Sequence, residues 1–135
     1  VILPTEAMQG EVIWDLELNE DLGPLLKLNT EVLDVRNLMR RDISWQALII
    51  PMAIKQILNF YAKVWSGSLE HPWQKKWAEF IKIYADENHL ASIPEQGDTE
   101  AIERWANLVV DSFCTQQNYK LLINENVNSG DDEDE

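Results

Sequence analysis

The strongest constraint on this chain is the stretch from Ser44 to Trp65, in which Trp45, Leu48, Ile49, Met52, Ile57, Phe60, Tyr61, Val64 and Trp65 recur at helical spacing. An apolar stripe of that length must be buried against other elements, which commits the chain to a helix-based core. Ser44 is placed as its N-cap and Gly67 as its C-cap. Pro51 lies inside the stretch. Proline lacks a backbone donor and restricts the residue before it, so a kink or restart is expected there.

Shorter helical patterns flank this one. Thr30-Glu31 opens a segment with Val32, Val35, Leu38 and Met39 on one face and Arg36, Arg40 and Arg41 mostly off it, ending near Arg41. Pro72 suits a first helical position, and Trp73, Trp77, Phe80, Ile81 and Tyr84 follow on one face, with Lys75, Lys76 and Lys82 on the other. Glu87 to Gly97 lacks periodicity and reads as a loop. Asp98 or Thr99 then caps a helix that buries Ile102, Trp105, Leu108, Val109 and Phe113, and Leu121-Leu122-Ile123 forms a last packed turn.

Before these helices, Val12 to Leu18 alternates apolar and acidic residues with a period near two, and Gly23-Pro24 closes the segment. It reads as extended, with one short strand at most. The expected fold class is therefore all-α: a four- to five-helix bundle over residues 25–123, an extended acidic segment over 1–24, and a disordered acidic tail over 124–135.

At 135 residues, with 45% apolar residues and six Trp, the chain supports one core and one domain. Its start, Val1-Ile2-Leu3-Pro4, reads as the interior of a longer protein. Pro51, Lys55 and Gln56 break the longest apolar run, and the N-terminus has no basic region of the kind that opens a signal peptide. The single cysteine, Cys114, forms no internal disulfide. A cytoplasmic, non-membrane protein is expected.

The net charge of −13 is unevenly distributed. Val1 to Pro24 and Glu125 to Glu135 each hold six acids and no base, whereas Arg36 to Lys82 holds eight bases and three acids. Such runs ordinarily solvate helix faces. The sharper reading is a surface for phosphates, made of Arg36, Arg40, Arg41, Lys55, Lys63, Lys75, Lys76 and Lys82.

Chemistry-bearing motifs are absent. His71 and His89 have no second ligand at a metal-binding spacing, Cys114 has no local histidine, and the five glycines never cluster into a phosphate-cradling loop. Asp15/Glu17 and Asp86-Glu87 are better read as surface and helix-end charges than as an acid/base pair. No catalytic residue, metal or cofactor is expected. Five tryptophans fall on apolar stripes, whereas Trp14 lies in the acidic extended segment and is the candidate aromatic anchor for another chain or for its own bundle.

A compact helical domain of this size, without a catalytic motif and with the basic central stretch named above, resembles the small helical-bundle subunit of type I CRISPR effector complexes, the I-D kind in particular. In that family the small subunit is equivalent to the C-terminal part of the large subunit. The resemblance spans nearly the whole chain but has no signature residues. It implies a non-catalytic subunit, present in several copies, that touches other protein subunits and makes sequence-independent contacts to the guide-target duplex or displaced strand. The acidity of the chain departs from that role. The alternative is a protein-only adaptor, chaperone or inhibitor, such as a phage or plasmid accessory protein or a nucleic-acid mimic, whose acidic ends bind a basic partner.

Overall fold

The computed structural model describes the backbone of residues 3–85 and 92–133 and the side chains of the same residues as far as 128. Three strands come first: β1 (Thr5–Met8), β2 (Trp14–Asn19) and β3 (Gly23–Asn29). Five helices follow: α1 (Val35–Arg41), α2 (Ile43–Val64), α3 (Pro72–Ala85), α4 (Thr99–Gln117) and α5 (Tyr119–Glu133).

The all-α expectation is thus corrected, because Thr5 to Asn29 fold as a three-stranded mixed sheet and the protein is α/β. The strand order is β1-β3-β2, with β1 parallel and β2 antiparallel to the central β3. Gly23-Pro24, expected to end the extended segment, instead opens β3, and the boundary at residue 24 falls inside a strand. The register aligns Thr5, Leu26 and Leu16 in one row and Ala7, Leu28 and Trp14 in the next. These rows face the helices, because side chains on a strand alternate between its two faces. Between them, Glu6, Lys27 and Asp15 share an outward row, and Lys27 Nζ lies 3.2 Å from Glu17 Oε2.

Two devices fix the sheet. Asn19 Oδ1 accepts the N–H groups of Asp21 and Leu22, each at 2.9 Å, which closes the β2–β3 turn. Asn29, only 2% exposed, donates from Nδ2 to the carbonyls of Gly10 and Val12 at 2.6 and 2.8 Å, and so clamps the link from β1 to β2. The hairpin is tied to the helices by the Trp73 indole N–H, which donates to the Glu20 carbonyl at 2.8 Å.

The helices differ in detail from expectation. α1 begins at Val35 rather than Thr30, because Asn29 to Asp34 form turns and Asp34 is left-handed at φ 62°. The N-cap of α2 is Asp42, not Ser44: its carboxylate accepts the N–H groups of Ser44 and Trp45. α2 runs unbroken through Pro51, since burial of Ile49, Ala53, Ile54, Ile57 and Leu58 on both sides of the proline holds the helix across the missing hydrogen bond. Its C-cap is Trp65, and Gly67 lies two residues farther on at φ +89°. Pro72 opens α3 and Asp98 caps α4, accepting from the Ala101 N–H.

The last segment also departs from expectation. Beyond the left-handed Asn118, α5 continues to Glu133, through most of the stretch read as a disordered tail. A helix satisfies its backbone within the segment and needs no apolar core to do so. Of the Glu87–Gly97 loop, Ser92 to Gly97 are non-helical, and its earlier part, with Asp86 and His89, lies outside the described residues.

Two apolar clusters hold the layers together. The larger joins α2, α3 and α4 through Ile57, Leu58, Tyr61, Trp77, Ile102 and Val109, with Leu16 and Leu18 of β2 packed against it. The smaller joins β3, α1 and α2 through Leu26, Leu28, Val35 and Ile49. By length and composition alone α2 could cross a bilayer. Here its apolar face supplies both clusters, as the central helix of the fold.

Candidate functional site

Between the sheet and the helices lies a cleft of about 430 Å³. One wall is Leu3, Thr5 and the inward side chains Leu26 and Leu28. Opposite stand Ile50 and Ile54 of α2 and the aromatic residues Trp77, Phe80 and Tyr84 of α3, with Phe113 of α4. These rings brace one another: Phe80 lies 4.6 Å from Tyr84 and 5.6 Å from Phe113, centroid to centroid, and Tyr84 meets Phe113 edge-on at 5.2 Å. Such packing fixes the wall in advance of any ligand.

The rim is α1. Val35 is buried and Met39 half-buried, which holds one face of this short helix down on the smaller cluster and leaves Arg36 and Arg40, one turn apart, exposed at the mouth of the cleft. The far end of α1 is pinned to α2, because the Gln46 side-chain amide donates to the carbonyls of Met39 and Arg40 at 3.1 and 2.9 Å. Neither Arg36 nor Arg40 forms an ion pair among the described residues. Among the described residues no Asp or Glu lines the cleft, although the chain holds 24 acids against 11 bases. The described lining is an apolar recess with two arginines at its lip.

The other basic residues do not join this lip. Arg41 borders a separate hollow with Asp34, Asn37, Leu38 and Asp42, on another side of α1. Lys55 pairs with Glu103 of α4 at 3.6 Å. Lys63 is exposed near the end of α2, and its carbonyl accepts from the Gln96 side chain. Lys75 and Lys76 are exposed on α3, while Lys82 borders a smaller hollow with Tyr61, Trp65 and Ile81. Of the eight basic residues singled out in the sequence, the fold brings two together at a cleft. Trp14 is half-buried on β2 and packs against the smaller cluster, so its ring docks within its own chain.

Titratable groups elsewhere are unremarkable in placement. Among the described residues no three His, Cys, Asp or Glu side chains converge as metal ligands. His71 Nε2 lies 3.5 Å from Asp21 Oδ1, beside the β2–β3 turn. Burial, and next the charge of Asp111, push the Cys114 thiol up, and burial pushes up the phenols of Tyr61 and Tyr119.

The sequence singles out Arg36 and Arg40 among eight basic residues of the central stretch and gives no sign of the recess beneath them. Its lining comes from segments scattered between Leu3 and Phe113, and Trp77 and Phe80 read as ordinary core residues. Compared with known proteins, the chain matches no family model, no curated protein and no solved structure.

Proposed function

We propose that this chain is a non-catalytic binding subunit that holds an anionic group of a partner or ligand at the α1 rim. The observation that carries the reading is the pair Arg36 and Arg40, one helical turn apart, with no acidic side chain among the described residues that line the cleft they border. Two guanidinium groups at a low-dielectric recess favour an oxyanion, because each presents a planar fork of donors that matches carboxylate or phosphate geometry.

Within an assembly such as a CRISPR-type effector complex, the same two residues would meet a phosphate of the guide-target duplex or displaced strand. In a protein-only adaptor they would meet a carboxylate. A cytoplasmic location accompanies both versions.

The test compares wild type with the Arg36→Ala/Arg40→Ala double variant and with Glu100→Ala/Glu103→Ala as a control. Binding is measured by fluorescence titration against single-stranded and duplex oligonucleotides, an acidic peptide and a series of alkyl carboxylates, over a range of salt. At least one of these anions should bind wild type and the Glu control alike, and lose about ten-fold or more on loss of both arginines, with a flatter salt dependence. Equal binding of all probes to wild type and the Arg variant would remove the rim from the account.

A further inference from the structure

Resting on that reading, we infer that the ligand of the cleft is a medium-chain alkyl carboxylate, with its head group between Arg36 and Arg40 and its chain laid into the recess toward Trp77. Three features of the cleft select this chemistry. Among the described lining residues the charge is confined to the lip and is positive, whereas Leu26, Leu28, Ile54 and Phe80, each at most 4% exposed, make the interior apolar. A ligand that satisfies both must be anionic at one end and hydrocarbon at the other.

The cleft is of small-ligand size. Its volume of about 430 Å³ lies toward the low end of such pockets and has room for a head group and a chain of around ten carbons. A polyanion such as a nucleic-acid strand would use the lip and leave the recess empty.

Desolvation argues for carboxylate over phosphate. Apart from the two guanidinium groups, the described side chains that line the cleft offer the hydroxyls of Thr5 and Tyr84 and the Trp77 indole N–H. The two guanidinium groups can satisfy either head group, but a carboxylate brings one charge to the edge of the apolar recess where a phosphate monoester brings nearly two to desolvate.

The test uses the whole chain and the indole fluorescence of Trp77 and its neighbours. Acetate, octanoate, decanoate, decanol and decyl phosphate are titrated into wild type, into Arg36→Ala/Arg40→Ala, and into Ile50→Trp, which fills the recess at a half-buried position and leaves the arginines in place. Circular dichroism melts establish that each variant is folded, and Ile50→Phe replaces Ile50→Trp if the larger ring prevents folding. Decanoate should bind wild type about ten-fold more tightly than it binds the Arg variant, more tightly than decanol or decyl phosphate, and weakly to the filled variant. Each added methylene should tighten binding about four-fold up to the length of the cleft.

Decanol as tight as decanoate would overturn the inference, leaving a cleft that recognises apolar matter only. Tighter binding of decyl phosphate would replace carboxylate with phosphate. Arginine-dependent binding of an oligonucleotide or acidic peptide, with none of decanoate, would overturn this inference while sustaining the anion-binding rim. Absence of arginine dependence for every probe would remove both.

Discussion

Gly23 offers a quantitative test of how the sheet meets the helices. It sits at φ +88°, and a Cβ built there would lie 2.5 Å from both Cβ and Cγ of Trp73. Gly67 has nearly the same backbone, φ +89°, with nothing within 4 Å of its Cβ position. The two glycines therefore separate backbone strain from collision. At Gly67, alanine incurs only the left-handed penalty of an L-residue, about 1–2 kcal/mol. At Gly23 the same penalty is joined by an overpacking cost of about 1–3 kcal/mol, because the Trp73 ring is held by its hydrogen bond to the Glu20 carbonyl and by the rings of Phe60 and Tyr61. The sum, about 2–5 kcal/mol, is a large part of the 5–15 kcal/mol typical of a domain. With a urea m-value of about 2 kcal/mol/M, Gly23→Ala should lower the unfolding midpoint by roughly 1–2.5 M and Gly67→Ala by about half to one molar. Equilibrium urea denaturation followed by circular dichroism reads both. Equal midpoints for the two variants would refute the seating of Trp73 against the β2–β3 turn.

Two further outcomes follow from buried groups. Asn29→Ala leaves the Gly10 and Val12 carbonyls and the Glu31 N–H without their side-chain partner, which should cost about 2–4 kcal/mol in the same urea assay; a loss under 1 kcal/mol would show that water replaces the amide. Alkaline solution should destabilise the fold, because burial raises Tyr61, Tyr119 and Cys114, so the folded state holds protons that the unfolded state releases. The decline should begin near pH ~8.5, where an unfolded thiol ionises, and steepen near pH ~10 with the phenols; thermal melts that stay flat from pH 8 to 11 would contradict the burial of these groups.

The helices were legible because their apolar residues repeat locally. Trp73, Trp77, Phe80 and Ile81 announce α3 from spacing alone, and all four are buried. The strands were not. β3 reads Gly-Pro-Leu-Leu-Lys-Leu-Asn, with no β-branched residue and with a dipeptide that usually marks a turn, and it is buried at five of its seven positions. What makes it a strand is pairing to two neighbours, neither of which its own pattern reveals. β1 is short and has no apolar alternation. The expected lone strand in Val12 to Leu18 overlaps β2, and what the sequence hid was its partner. The cleft followed the same rule: the basic stretch that holds Arg36 and Arg40 was visible, while the recess required the sheet.

The strand order also dictates a sequence of events. β2 and β3 are joined by the short Glu20-Asp21-Leu22 turn and can zip within microseconds, whereas β1 has no partner until β3 is in place, since it touches that strand alone. Docking last and held from one side, β1 should also be the first element to leave, and its amides should exchange with solvent ahead of those of the hairpin. Leu3 and Thr5, which border the arginine-lipped cleft, travel with it. Fraying of this one strand would therefore widen the recess while the aromatic wall stays shut, giving an occupant a way in that leaves the helical core unmoved.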